Sequence, residues 1–127
     1  MKISDQAVGA IMMALQKSLM EQTDIVPVIK GKDCIIQAQS GTGKIGTFCI
    51  ASLQVTDTSL ETCQVIILEP TREIAEQSNR VCTNLGKFLP SLNIIGVIGG
   101  QRLLSNDVNR SHIIVGTPGR VYDMIQR

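Results

Sequence analysis

Two glycines and a lysine in the run Ala38-Gln39-Ser40-Gly41-Thr42-Gly43-Lys44-Ile45 carry the first recognisable chemistry of this chain. Glycines at 41 and 43 let successive backbone N–H groups turn toward one anion. A following helix adds its positive end, and Lys44 can reach the outer phosphates of a nucleotide. Gln39, Ser40 and Thr42 fill out the same loop. The position after the lysine normally carries Ser or Thr, whose hydroxyl holds Mg²⁺. Here it is Ile45, which has no oxygen to offer. Three further stretches mix small, hydroxyl and charged residues in short loops: Pro70-Thr71-Arg72-Glu73, Gly99-Gly100 and Thr117-Pro118-Gly119-Arg120.

The elements that must position these loops follow from apolar runs and their punctuation. Ser4 or Asp5 can cap a helix reaching about Glu21, with Val8, Ile11, Met12, Leu15 and Leu19 at helical spacing, and a short second helix around Pro27 stops at Gly31. Cys34–Ala38 reads as a short buried strand entering the phosphate loop, with a helix from Gly43 to about Gln54 behind it. Gln64–Leu68 reads as a second strand. Thr71 caps a long helix to about Phe88, with Ile74, Val81, Leu85 and Phe88 along one face. Asn93–Ile98 and Ile113–Gly116 are two more strands, separated by a polar, poorly periodic stretch from Gln101 to Ser111, and Thr117-Pro118 starts a last helix. Strands alternating with helices imply a parallel α/β sheet with right-handed crossovers. In such sheets ligands sit at the carboxyl ends of the strands, where all four loops fall.

Composition narrows the class. At 127 residues the chain is one domain, 43% hydrophobic, which argues against disorder. Aromatics are nearly absent, so the core must be Ile, Val, Leu and Met, as in buried parallel strands. A formal charge of +1 gives no broad basic field, and any nucleic-acid contact would be local. Cys34, Cys49, Cys63 and Cys82 are spaced 14 to 19 positions apart, with one histidine and no CxxC. That pattern excludes zinc and reads as reduced, buried thiols of a cytosolic protein. Lys2 followed by Ala7–Leu15 has the outline of a secretory signal, but Asp5 interrupts it and no small-x-small site follows. No segment approaches the roughly 20 apolar residues that span a membrane. The lone His112 reads as a solvated or hydrogen-bonded bystander, and Met12, Met13 and Met20 as core filler.

Residues 38–44, Pro70-Thr71-Arg72-Glu73-Ile74-Ala75-Glu76-Gln77, Gly99-Gly100 and His112-Ile113-Ile114-Val115-Gly116-Thr117-Pro118-Gly119-Arg120-Val121 occur in that order at plausible spacings, the connection from Gly100 to His112 being a few residues shorter than expected. Together they resemble the amino-terminal RecA-like domain of a DEAD-box RNA helicase, in wording closest to its translation-initiation branch. The resemblance covers about residues 17–127. It implies a three-layer RecA-like P-loop NTPase fold with a mainly parallel sheet, an amino-terminal helical segment over 1–31 and a phosphate-loop core over 32–127. It also implies ATP as cofactor, its phosphates held by Gln39, Ser40, Gly41, Thr42, Gly43, Lys44 and Ile45, with Lys44 as the catalytic residue and Mg²⁺ as the accompanying ion. Pro70, Thr71, Arg72, Gly99, Gly100, Thr117, Pro118, Gly119 and Arg120 match positions that contact the backbone of single-stranded RNA, without reading its sequence. A cytoplasmic location follows, with the nucleus as the alternative and no membrane.

Several positions depart from the pattern. Ile45 replaces the metal hydroxyl. In the adenine-reading segment Ser18 matches, but Glu21 stands where a glutamine is expected, and a carboxylate cannot donate to adenine as an amide does, unless the register shifts by one to use Gln22. No Asp-Glu pair occurs in these residues, and the second RecA-like domain lies outside them. An arginine finger alone contributes about 10³–10⁵ in rate, so turnover by this stretch alone is not expected. With the intervening strands missing, the strand entering the phosphate loop is expected to have an open edge that a protein partner could cover. Two readings result: a partial or degenerate helicase domain that binds nucleotide phosphates and RNA, or a non-catalytic protein-binding module with a relic phosphate loop. A small kinase leaves Pro70–Glu73 and Thr117–Arg120 unexplained.

Overall fold

A computed structural model of the chain describes residues 33, 35–37 and 43–127. The helices expected over 5–31, with Ser18 and Glu21, lie outside them, as do Gln39, Ser40, Gly41 and Thr42. The described elements run α1 (Lys44–Val55), β1 (Val65–Leu68), α2 (Arg72–Gly86), β2 (Ile94–Val97), α3 (Ser105–Asn109), β3 (Ile113–Gly116) and α4 (Pro118–Ile125).

The strands form one parallel sheet in the order β1-β3-β2. Ile113 stands opposite both Val65 and Ile94, and Gly116 opposite both Leu68 and Val97. Every residue of β3 is buried, as a strand flanked on both edges and covered on both faces requires. Alternation sends Ile67, Ile113 and Val115 to one face, where they pack with Cys49 and Leu53 of α1 and Cys82 of α2. Ile114 and Val97 point to the other face and meet Val121 of α4, with Leu103, Val108 and Met124 around them. The result is three layers of helix, sheet and helix, as the alternating pattern implies.

Helix α2 docks through small residues. Its buried positions are Ala75, Ser78, Cys82 and Gly86, at helical spacing, rather than the expected Ile74, Val81, Leu85 and Phe88. Ile74, Val81 and Leu85 flank this seam half-buried, and Phe88 is exposed. Small side chains let α1 and α2 approach closely: a Cβ on Gly86 would press on Leu53 and Leu92. Within the seam Cys49 Sγ donates to the Ser78 carbonyl at 3.7 Å. A hydrogen bond with Cys82, together with burial, pushes the Cys49 thiol far above its usual range, so it is protonated and inert. Burial also raises the half-buried Cys63 thiol. Among the described residues no methionine joins the fully buried core; cysteines take that place.

The loop between α1 and β1 is braced by one side chain. Gln64 Oε1 accepts from the Asp57 amide at 2.8 Å, and its Nε2 donates to the Asp57 carbonyl at 2.8 Å. Asp57 in turn accepts from the Ser59 hydroxyl and amide at 2.6 and 2.9 Å, and these bonds hold its carboxyl below the usual range.

Two expectations need correction. The stretch from 101 to 111 contains a single-turn helix, α3, whose Val108 packs on the sheet; one turn is too short to show periodicity. Residues 35–37 of the strand expected over 34–38 carry no strand, and Ile35 is 98% exposed. No described strand offers them a partner, since the sheet ends at β1. Among the described residues the outer edge of β1 has no partner strand, and Ile66 and Leu68 of that strand are about half exposed. Among the described residues no helix is long and apolar enough to cross a membrane.

Candidate functional site

Parallel strands leave the sheet on the same side, so the segments after them share one edge. Glu69–Thr71 follow β1, Ile98–Gly100 follow β2 and Thr117–Gly119 follow β3. The Glu69 amide donates to the Gly116 carbonyl at 2.9 Å, which ties the first and third of these segments together.

At the phosphate loop, Gly43 takes φ 91°, a left-handed conformation that favours glycine, and α1 begins at the exposed Lys44. The helix has no acidic residue in its first turn and no side-chain cap. A lysine at the positive end of a helix is unfavourable by itself and becomes favourable when an anion binds there. Thr47 directs both its amide and its hydroxyl to the Gly43 carbonyl, each at 3.0 Å. Ile45 is partly buried and packs against the cluster of Cys49, Leu53 and Ile67. Where a metal hydroxyl is expected, an apolar side chain joins the core. The described donors therefore do not fit Mg²⁺, and no three His, Cys, Asp or Glu side chains among the described residues come together to hold a metal ion.

Two arginines link the other three motifs. Thr71 caps α2 by accepting from the Ile74 amide at 3.3 Å, and Arg72 is the first residue of that helix. Arg72 donates from Nε to Glu76 at 3.1 Å and remains 60% exposed. Its Nη1 lies 3.9 Å from the place a Cβ on Gly100 would occupy, so these two expected site residues are neighbours. Gly100 has φ +90°, which accounts for the glycine. Thr117 precedes α4 without a side-chain cap bond, Pro118 opens the helix, and nothing lies within 4 Å of a Cβ on Gly119. Arg120 Nη1 donates to Asp123 at 2.9 Å, and Nη2 donates to the Gln101 carbonyl at 3.1 Å. Both arginines thus have carboxylate neighbours.

Sequence reasoning missed four participants. Glu69 is a carboxylate that is only 9% exposed and accepts from the Ser78 hydroxyl at 2.6 Å. The one signal for it was an acid ending an apolar run. Glu76 and Asp123 hold the two arginines, and Gln101 acts through its carbonyl, which no side-chain pattern reveals. His112 is a hydrogen-bonded bystander at the opposite end of the sheet: it is 3% exposed, and its Nδ1 accepts from the Asn93 amide at 2.9 Å.

This arrangement has clear counterparts. The family described as DEAD/DEAH box helicase matches residues 16–127. The ATP-dependent RNA helicase eIF4A of Coccidioides immitis is 49% identical over 114 residues, 87% of this chain and 28% of that protein. Eukaryotic initiation factor 4A of Drosophila melanogaster is 48% identical over 113 residues, with the same coverage. The chain therefore spans little more than a quarter of the length of these curated relatives. Among solved structures, a DEAD box protein from Methanococcus jannaschii is similar over 100% of this chain and 36% of that one, with TM-score 0.75 and 29% identity. S. cerevisiae Dbp5 bound to RNA and ADP BeF3 is similar over 72% of this chain and 23% of that one, with TM-score 0.64 and 32% identity. The three segments that follow β1, β2 and β3 on one sheet edge and these matches have one conclusion: the chain belongs to the DEAD/DEAH box helicase family.

Proposed function

We propose that these residues form the amino-terminal RecA-like portion of an RNA helicase of the translation-initiation type. In this reading they hold nucleotide phosphates at Gln39–Ile45 and the backbone of single-stranded RNA along Pro70–Arg72, Gly99-Gly100 and Thr117–Arg120. The phosphate loop is degenerate at its metal position, Ile45, and the adenine segment at Glu21. The observation that carries the reading is the placement of Arg72 beside Gly100, with Arg120 bonded to the carbonyl of the following Gln101, at the carboxyl edge of a parallel sheet. Relatives named for ATP-dependent RNA helicase activity and for translation initiation support it, as does a similar structure that holds RNA. Cytoplasmic location, with the nucleus as alternative, and a boundary near residue 32 belong to the same proposal.

Within it, the roles follow from local chemistry. The free N–H groups at the start of α1 and the Lys44 ammonium receive phosphate oxygens. ATP would supply those phosphates and the reaction's free energy. Arg72, the Gly100 turn and Thr117 line a path for successive backbone phosphates. Such contacts position RNA without distinguishing bases. With two or three phosphate contacts, the slope of log affinity against log salt is expected near −1.4 to −2 for a single strand. Anisotropy titrations of a labelled single-stranded oligonucleotide, started at about 50 mM salt, measure this directly. A slope near zero, or no binding at the lowest salt, overturns the RNA part.

A second reading, a protein-docking module with a relic loop, is favoured by one observation. Among the described residues the outer edge of β1 is open, with Ile66 and Leu68 about half exposed, and Ile66 borders a hollow of about 500 Å³ lined by Val97, Leu103, Ile114 and Met124 together with polar residues such as Thr62 and Asn109. Nucleotide binding that ignores both Mg²⁺ and the identity of residue 45 supports it.

A further inference from the structure

The amino edge of the sheet, opposite the candidate site, carries a second cluster of polar groups. The segments that enter β1, β2 and β3 surround a cleft of about 560 Å³ there. The first contributes Glu61, the second Asn93, and the third Asp107, Arg110 and His112. The remaining wall is made of the hydroxyl residues Thr58, Ser59 and Ser91. The volume is that of a small-molecule site, but no hydrophobic side chain lines it, so an apolar ligand has nothing to pack on. None of these residues belongs to the phosphate loop or to the RNA path.

His112 is the one lining residue that is buried. Its Nδ1 accepts from the Asn93 amide, so in the neutral ring the proton sits on Nε2. That buried N–H has no acceptor among the described residues. A buried donor left unpaired is costly, so a ligand oxygen placed there is favoured. A metal ion does not suit it. Nε2 could offer a lone pair only if the proton moved to Nδ1, which faces another N–H.

The charges around this donor narrow the ligand further. The lining holds two carboxylates, Glu61 and Asp107, against one guanidinium, Arg110. Arg110 Nη2 donates to Glu61 at 3.4 Å with both side chains well exposed, a weak pair that can exchange partners. Asp107 has no ion pair among the described residues. A simple anion would meet the surplus negative charge. The complementary ligand has two cationic groups and one carboxylate. We propose that this cleft binds a free basic amino acid, lysine or arginine. Its carboxylate accepts from His112 Nε2 and Arg110, and its two cationic groups go to Glu61 and Asp107.

Calorimetric titration of the chain with L-arginine and with L-lysine is expected to show saturable binding at one site. In nitrogen-edited NMR spectra the His112 Nε2–H resonance moves as that site fills. N-acetyl-L-arginine, which lacks the α-ammonium group, and L-argininamide, which lacks the carboxylate, each bind severalfold more weakly. Asp107→Asn, at an exposed position of α3, lowers the affinity for arginine severalfold. His112→Asn keeps an oxygen that can accept from the Asn93 amide but loses the Nε2 donor, and binding drops severalfold. If that variant does not fold, Asp107→Asn and the two blocked ligands decide. No saturable binding of arginine, or an unmoved Nε2–H resonance, overturns the proposal. So does glutamate or inorganic phosphate that binds as tightly as arginine, a blocked ligand that matches arginine, or wild-type affinity in Asp107→Asn.

Discussion

Ile45 shows how one side chain can carry two opposite demands. The phosphate loop wants an oxygen at that position, whereas the α1–sheet interface accepts an apolar group, and this chain serves the interface. Ile45→Thr is expected to cost roughly 1 kcal/mol of stability, because a half-buried branched side chain loses apolar contact. In return, nucleotide affinity should gain a dependence on Mg²⁺ of about tenfold, ~1.4 kcal/mol, that the wild-type chain lacks. Calorimetric titrations of both proteins with ADP, in Mg²⁺ and in chelator, check this. An Ile45→Thr protein as indifferent to the ion as wild type means that the loop is a relic for other reasons as well. The missing hydroxyl was legible in the sequence. The direction of Ile45 toward Cys49 and Leu53 was not, because it depends on how α1 sits on the sheet. Nor were Glu76 and Asp123 assigned to their arginines, although i,i+4 and i,i+3 spacings on a helix are the signal that could have found them.

Among the elements, the strands were the most legible. Apolar runs between turn residues located β1, β2 and β3 within a residue or two, and the Thr71 cap fixed the start of α2. The docking face of α2 was not legible, because large apolar residues attract attention while the seam is built from Ala75, Ser78, Cys82 and Gly86. Close approach rewards small side chains, which hydrophobicity alone does not rank. Gly116 is the sharpest case in the sheet. A Cβ there would run into the Val97 carbonyl and stand 2.9 Å from Val121 Cγ2. Backbone cannot yield as a side-chain tip does, so Gly116→Ala is expected to destabilise by about 1–3 kcal/mol or more. A lowered urea midpoint with an unchanged slope measures it. A midpoint equal to wild type would show that β2 and β3 can separate locally at no cost.

For the molecule as a whole, the order of the sheet has a consequence for how the protein is made. β1 and β2 each pair with β3 and never with each other. During synthesis both outer strands emerge before the strand that joins them, so a nascent chain ending at Ser111 holds two apolar strands with no ladder for either among the described residues. Non-local pairing of this kind is slow and leaves unpaired strands open to association. A chain stopped after Ser111 is accordingly expected to show no cooperative urea transition, whereas the full chain shows one. A cooperative transition in the shortened chain would mean that the helical seam of α1 and α2 folds unaided. The four residues from Ile113 to Gly116 therefore act as the clasp of the domain, and until they leave the ribosome the segments that follow β1 and β2 have nothing to hold them side by side.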